Sequence, residues 1–190
     1  MPIYPDNITA LALRLEYGGV ADSENASGRA VNFDCGSLVR FSLYIDNTGR
    51  VADVRFTSNG CGYMIAAAET AAASLTGNML RELHGLDENE FEELINRKLG
   101  GVPFDRTNCV AAVRESIRNA FSEFRKRQIE EFVGEKALIC TCFGISEESL
   151  SKLIKDTTPQ TIDDMMKLTP AGSGCGSCRM LIQEMLDEED

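Results

Sequence analysis

The stretch LVRFSLYIDNTGRVADVRFTSNGCG, Leu38–Gly62, alternates, turns, alternates again and ends on a cysteine between two glycines. Val39, Phe41, Leu43 and Ile45 fall on one side of an extended chain, and Arg40, Ser42, Tyr44 and Asp46 fall on the other. A period of two predicts a half-buried strand. DNTG, Asp46–Gly49, is a hairpin turn in which Gly49 supplies a positive φ. Arg50–Ser58 then returns antiparallel. From Gly62 the period changes. YMIAAAETAAASLTG is alanine-rich and reads as a helix that ends at Gly77.

Working outward, a helix is expected from about Asn7 to Tyr17, with Ile8, Leu11 and Leu15 on one face and a Gly-Gly stop. The polar run DSENASGR, Asp22–Arg29, reads as a loop. Downstream, short helices are expected at Asn78–His84 and Asp87–Leu99, and a long one at Thr107–Phe132. The long helix repeats apolar residues at three and four (Val110, Val113, Ile117, Phe121, Phe124), while Arg114, Glu115, Arg118, Glu123 and Lys126 lie opposite. GEK, Gly134–Lys136, marks a boundary. The expected organisation is a domain over 1–133, a linker over 134–138 and a small domain over 139–190. The first is α+β, a small antiparallel sheet packed by helices. The second is small and all-α, with helices at Glu147–Lys155 and Ile162–Leu168 and a last one from Cys178 to about Leu186. About 50 residues bury too little core to stand without a staple.

Composition narrows the chemistry. The net charge of −11 argues against a nucleic-acid partner. No apolar run approaches the roughly 18 residues of a membrane span, and MPIYPDN has neither the basic start nor the apolar core of a signal peptide. A cytoplasmic location is expected. Seven cysteines, an odd number without a secretory signal, read as metal ligands or redox groups. With one histidine, His84, Ser-His-Asp and Cys-His mechanisms and multi-histidine metal sites are largely excluded. His84 itself reads as a solvated or otherwise satisfied residue rather than a ligand.

Cys140 and Cys142 form C-x-C, and Cys175 and Cys178 form C-x-x-C within GSGCGSC, Gly172–Cys178. Four thiolates hold either a 2Fe-2S cluster or one tetrahedral zinc, and spacing alone does not choose between them. The glycines let backbone N–H groups approach sulfur. Cys178 opens the last helix, where the dipole favours a thiolate. In the first domain Cys35 precedes a strand, Cys61 precedes a helix and Cys109 starts one. Two of these three are thus also expected to have lowered thiol pKa values. Three cysteines at element ends either converge on one exposed site or are small buried hydrophobes.

CTCFGISEESL…TPAGSGCGSC closely resembles the bacterioferritin-associated-ferredoxin-like domain over about residues 138–188. The resemblance implies a permanent 2Fe-2S cluster on Cys140, Cys142, Cys175 and Cys178. Residues 1–133 resemble the IscU/NifU scaffold domain of iron-sulfur assembly, through DCGS ahead of the strand, NGCG ahead of the Ala-rich helix, and Arg106 three residues before Cys109. Scaffold followed by ferredoxin-like domain is the order of NifU proteins. Since the sequence stops at Asp190, their third domain is expected to be absent. The resemblance implies a transferable cluster, or iron or zinc, on Cys35, Cys61 and Cys109. It also implies a cysteine desulfurase and apo iron-sulfur acceptor proteins as partners, a homodimer, and a scaffold that is not expected to be an enzyme.

Two positions depart from the family. Ser37 stands where an aspartate is usual, and Asn108 where many members have histidine. Neither is a good ligand. A fourth ligand would then come from another molecule or a dimer mate, or the cluster is held differently, or assembly has been lost with the fold kept. Under the last reading the chain is an electron-transfer or redox-sensing ferredoxin-like protein whose first domain serves for docking.

Overall fold

The structure, a computed structural model, describes residues 4–83, 88–130 and 137–188. The chain divides into two compact units, Met1–Asp46 with Arg50–Glu123, and Asn47–Gly49 with Phe124–Asp190. His84, Asp87, Phe132 and residues 134–136 of the expected linker lie outside the described residues. Among the described residues, no helix is long and apolar enough to cross a membrane.

The first unit is built on a three-stranded antiparallel sheet, β1 (Ala26–Asn32), β2 (Ser37–Ile45) and β3 (Val51–Ser58), in that spatial order. The alternation expected of β2 is realised. Val39, Phe41, Leu43 and Ile45 are all buried, and Phe41 stacks on Phe56 across the β2–β3 pair at 5.8 Å. The turn closes with the Asp46 N–H on the Arg50 carbonyl at 2.9 Å, and Gly49 has φ +80°. The opposite face is not simply solvated. Ser42 is buried, and its hydroxyl accepts the Ala21 N–H at 3.0 Å.

Half of the expected loop Asp22–Arg29 is instead strand β1, paired with β2 from Ala26↔Leu43 to Asn32↔Ser37. The residues on its buried side are Ala26, Gly28, Ala30 and Asn32, too small or too polar to register as an apolar stripe. Ala26 and Gly28 are small because helix α5 (Thr107–Glu130) comes up to the strand backbone. A Cβ at Gly28 would lie 2.1 Å from the Ser116 carbonyl oxygen and 2.2 Å from the Ala120 nitrogen. Ser116 Oγ, fully buried, donates to the Gly28 carbonyl at 2.8 Å. Asn119 Nδ2 donates to the Arg29 carbonyl at 3.1 Å, and the Ser27 N–H donates to the Glu123 carboxylate at 2.6 Å. The expected stripe of α5 is buried at Val110, Val113, Ile117 and Phe124 and half-buried at Phe121.

Helix α1 (Asp6–Leu13) ends four residues earlier than expected, leaving Leu15 exposed. The chain beyond it has better partners than its own helix. The N–H groups of Glu16 and Tyr17 donate to the buried Glu69 carboxylate, and Tyr17 and Gly19 hydrogen-bond the backbone of Phe56 on β3. Glu69 belongs to α2 (Gly62–Leu75), whose alanines let it pack closely against α1 and β3. Helices α3 (Leu80–Leu83) and α4 (Glu88–Lys98) follow.

In the second unit a small two-stranded sheet, β4 (Leu138–Cys140) with β5 (Ile145–Ser146), precedes α6 (Glu147–Thr157), α7 (Ile162–Leu168) and α8 (Arg179–Asp187). Ser146 caps α6 by accepting the Ser149 N–H, and Thr161 caps α7 by accepting the Asp164 N–H. Leu150, Ile154, Met165, Ala171, Ile182 and Leu186 form the core.

Because both atoms facing Gly28 are backbone, Gly28→Ala forces α5 off the sheet. Overpacking of this kind costs about 1–3 kcal/mol, and the upper end or beyond is expected here. A urea titration should show a lower midpoint with an unchanged slope.

Candidate metal centres

The β1–β2 connection carries the first cysteine. Asn32 organises it: its carbonyl accepts the Gly36 N–H at 2.8 Å, and its side-chain oxygen accepts the Asp34 N–H at 3.0 Å. Gly36, at φ +70°, turns the chain so that Ser37 folds back on Cys35. The Cys35 Sγ and Ser37 Oγ are 3.1 Å apart. The Ser37 hydroxyl, then its N–H, hold the exposed Cys35 thiol below the ordinary range. Cys61 is the N-cap residue of α2, and Cys109 is the third residue of α5. Their sulfurs lie 3.7 Å apart.

Cys109 does not follow the expectation of a lowered thiol at a helix start. It is 2% exposed, and burial, then the neighbouring Cys61, push its pKa up to about 12. Desolvation of the thiolate outweighs the dipole. The Asn32 side-chain amide offsets part of this, pointing Nδ2 at the Cys109 Sγ at 3.8 Å. Cys35 is within electrostatic reach of Cys109. Arg106, at the end of a 3-10 turn, Phe104–Arg106, lies within electrostatic range of all three thiols. Its guanidinium is pushed up first by Asp105, then by Cys61.

The two departures both have partners. Ser37 supports the Cys35 thiolate, and the Asn108 amide donates to the Asp34 carboxylate. Asn32 and Asp34 escaped the sequence reading, although they immediately precede Cys35 in VNFDCGS. A polar run between a strand and a cysteine was the available signal. Phe33 and Phe104 stand 95% and 94% exposed on the segments that carry Cys35 and Arg106.

In the second unit the four cysteines stand as two pairs. Cys142 and Cys175 are 3.3 Å apart, sulfur to sulfur, at the surface. Cys140 and Cys178 are buried and hydrogen-bonded side chain to side chain. Burial, then Cys178, push the Cys140 thiol up to about 11, opposed by the nearby backbone N–H groups of Phe143 and Gly172. Cys175 repeats the turn of Cys35: Gly176 has φ +79°, and Ser177 Oγ lies 3.2 Å from Cys175 Sγ. The Ser177 hydroxyl, then its N–H, then Cys142, bring Cys175 down to about 7. A Cβ at Gly174 would touch Cys142 Sγ at 3.2 Å, so only glycine leaves this cradle open. Among the described residues no three Cys, His, Asp or Glu side chains already converge on one point. Two pairs of thiols suit two irons with two cysteines each, whereas one tetrahedral ion needs four sulfurs around a single centre.

These environments predict an order of thiol reactivity in the metal-free chain. With iodoacetamide at pH 7.5, above the Cys175 pKa of about 7, Cys175 and Cys35 should alkylate first. Cys109 and Cys140 should alkylate last, and peptide mass spectrometry reads the order. Lowering the pH to 6 should slow Cys175 by only about eightfold, against about thirtyfold for thiols whose pKa lies well above 7.5, because Cys175 starts mostly as thiolate.

Two family models match the chain: the NifU-like N terminal domain over residues 5–131 and the BFD-like [2Fe-2S] binding domain over 138–188. The nitrogen fixation protein NifU of Azotobacter chroococcum mcd 1 is 27% identical over 172 residues, 90% of this chain and 54% of that protein. The chain thus spans just over half the length of this relative. The iron-sulfur cluster assembly scaffold protein IscU of Aquifex aeolicus (strain VF5) is 28% identical over 132 residues, 68% of this chain and 80% of that one. A solved NifU-like protein (N-terminal) from Brucella abortus aligns with a TM-score of 0.47 and 19% identity, over 69% of this chain and 96% of its own. Three cysteines on the ends of a small sheet and two helices, followed by a paired four-cysteine module, are therefore those of a chain that belongs to the NifU-like N terminal domain family and carries a BFD-like [2Fe-2S] binding domain behind it.

Proposed function

We propose that the chain is a scaffold on which an iron-sulfur cluster is built at Cys35, Cys61 and Cys109 and then given away. The observation that carries this is the gradient of burial across the three thiols of the first unit. Cys109 is buried, Cys61 half-buried 3.7 Å from it, and Cys35 exposed, with the Arg106 charge within electrostatic range of all three. A buried floor and an exposed lip suit a cargo that must be held and then released. The cationic Arg106 favours the thiolate form of all three.

Sulfur is delivered as a persulfide from a cysteine desulfurase. Cys35 is the acceptor on grounds of access: it is exposed, and the Ser37 hydroxyl supports its thiolate. The Cys35 thiolate attacks the outer sulfur of the donor persulfide, and the donor's sulfur–sulfur bond breaks. The donor cysteine leaves as a thiolate, and Cys35 becomes the persulfide. Iron, the other half of the cargo, is held by the same thiols. The scaffold turns over no small substrate. It works as a homodimer in a reducing, cytoplasmic setting and passes its cargo to apo iron-sulfur acceptors.

Cys140, Cys142, Cys175 and Cys178 hold a permanent 2Fe-2S cluster. When bound, that cluster supplies one-electron transfer. The chain's own part is to hold it: two buried thiols and two outer ones, with the Phe143 and Gly172 N–H groups near Cys140.

A second reading is favoured by one observation. Ser37 and Asn108 are engaged by Cys35 and Asp34 and offer no fourth ligand. The first unit would then be a docking module beside a redox centre. Anaerobic reconstitution of the full chain with iron and sulfide, followed by an apo-acceptor, separates the two. The scaffold predicts two iron-sulfur centres, one of which leaves. Cys35→Ser should lose the transferable iron and all transfer, while keeping the absorbance of the C-terminal cluster. One centre that stays, with Cys35→Ser matching wild type, would establish the redox reading instead.

A further inference from the structure

One buried amide joins the loop that carries Cys35 to the sulfur of Cys109. Asn32 is the last residue of β1, paired with Ser37 across the sheet, and it is 7% exposed. Its backbone carbonyl accepts the N–H groups of Cys35 at 3.4 Å and Gly36 at 2.8 Å, and its side-chain oxygen accepts the Asp34 N–H at 3.0 Å. Residues 33–36 thus hang on this one residue. The other end of the same amide, Nδ2, donates to the Cys109 Sγ at 3.8 Å, a long bond of the kind that the size of sulfur allows.

The orientation of the amide is fixed by chemistry. The Asp34 N–H only donates, so the amide oxygen must face it, and the amide N–H is left for the sulfur. Both ends are needed in one side chain. Aspartate offers oxygen without a donor, and leucine offers neither. Cys109 is 2% exposed, and a thiolate stripped of water is costly unless another donor takes the water's place. Asn32 brings that donor to the sulfur. A second tie runs beside the first, because Asn108, the chain neighbour of Cys109, donates to the Asp34 carboxylate.

We propose that Asn32 is a positioning residue of the three-thiol site: its amide N–H supports the Cys109 sulfur as a ligand while its amide oxygen holds the Cys35 loop, so that the inner and the outer thiol are presented to the cargo as one site. The proposal rests on the reading of Cys35, Cys61 and Cys109 as the place where the cargo is held. Asn32 touches no cargo itself. It acts through the two cysteines.

The test is an anaerobic titration of the full chain with Co(II), followed by its sulfur-to-cobalt charge-transfer absorption. Wild type, Asn32→Thr and Asn32→Leu are compared. From each is subtracted the spectrum of the triple variant Cys35→Ser, Cys61→Ser, Cys109→Ser, which keeps the C-terminal thiols. Threonine retains a hydroxyl for the Asp34 N–H but is too short to reach Cys109, and leucine retains neither bond. The threonine variant is expected to keep the band's intensity and to move it to lower energy, because a sulfur lone pair without its hydrogen bond lies higher. It should bind Co(II) about tenfold more weakly, the size of one lost bond to a charged group. The leucine variant should show the same shift with a weaker band, as the Cys35 loop comes loose. A threonine variant with the wild-type band overturns the proposal, whatever its affinity and whatever the leucine variant does, since the N–H would then do nothing for the sulfur. A leucine band as intense as the threonine band overturns the hold on Cys35. Far-UV circular dichroism checks the fold, and Asn32→Ser makes the threonine comparison with less bulk if that variant is disturbed. A wild-type chain with no charge-transfer band after subtraction overturns the underlying reading as well, whereas a wild-type band beside unmoved variants overturns Asn32 alone.

Discussion

The first unit depends on one place where two backbones meet with no side chain between them. At Gly28, strand β1 and helix α5 approach so closely that a single methyl group would overlap the helix main chain. The buried hydroxyl of Ser116 bonds the strand carbonyl there, and Asn119 and Glu123 bond its neighbours. This contact fixes the height of the helix over the sheet. Cys109 lies two helical turns, about 10 Å, before Ser116, and Cys35 lies at the far end of β1. The contact therefore acts as a pivot between the two chain segments that bring these thiols into range of each other.

The hairpin was legible because its buried residues are large and alternate strictly. Strand β1 was not, for the reason that makes it important: a surface that accepts a helix backbone must be made of Ala26 and Gly28, and small residues carry no hydrophobic period. The early end of α1 was hidden for a similar reason. Glu69 reads as one polar residue in an alanine helix, yet it is buried and bonds the N–H groups that would otherwise have continued α1. Tertiary partners of this kind lie 53 and 52 residues away in the chain, beyond any local window.

The candidate sites were legible as lists of cysteines but not as environments. Helix starts suggested lowered thiols, whereas Cys109 shows burial winning over the dipole. Ser37 and Asn108 looked like losses. In place they belong to a connected set, Ser37 on Cys35, Asn108 on Asp34, Asp34 on Asn32 and Asn32 on Cys109. One regularity was visible throughout. Cys35-Gly36-Ser37 and Cys175-Gly176-Ser177 are the same tripeptide, and both fold into a positive-φ turn that sets a serine hydroxyl beside an exposed thiol. Serine at position 37 gives the first unit the thiolate turn that the second already has.

The pairing of outer and inner thiols in the second unit has a consequence for how the empty chain ages. Cys142 and Cys175 need only a small movement to close from 3.3 Å to a bonded distance, and Cys175 is already the better nucleophile. Cys140 and Cys178 are screened below them. Air oxidation therefore seals the mouth of the site first and leaves its floor as thiols. Damage that starts at the rim is the kind that a mild reductant reverses without unfolding the protein.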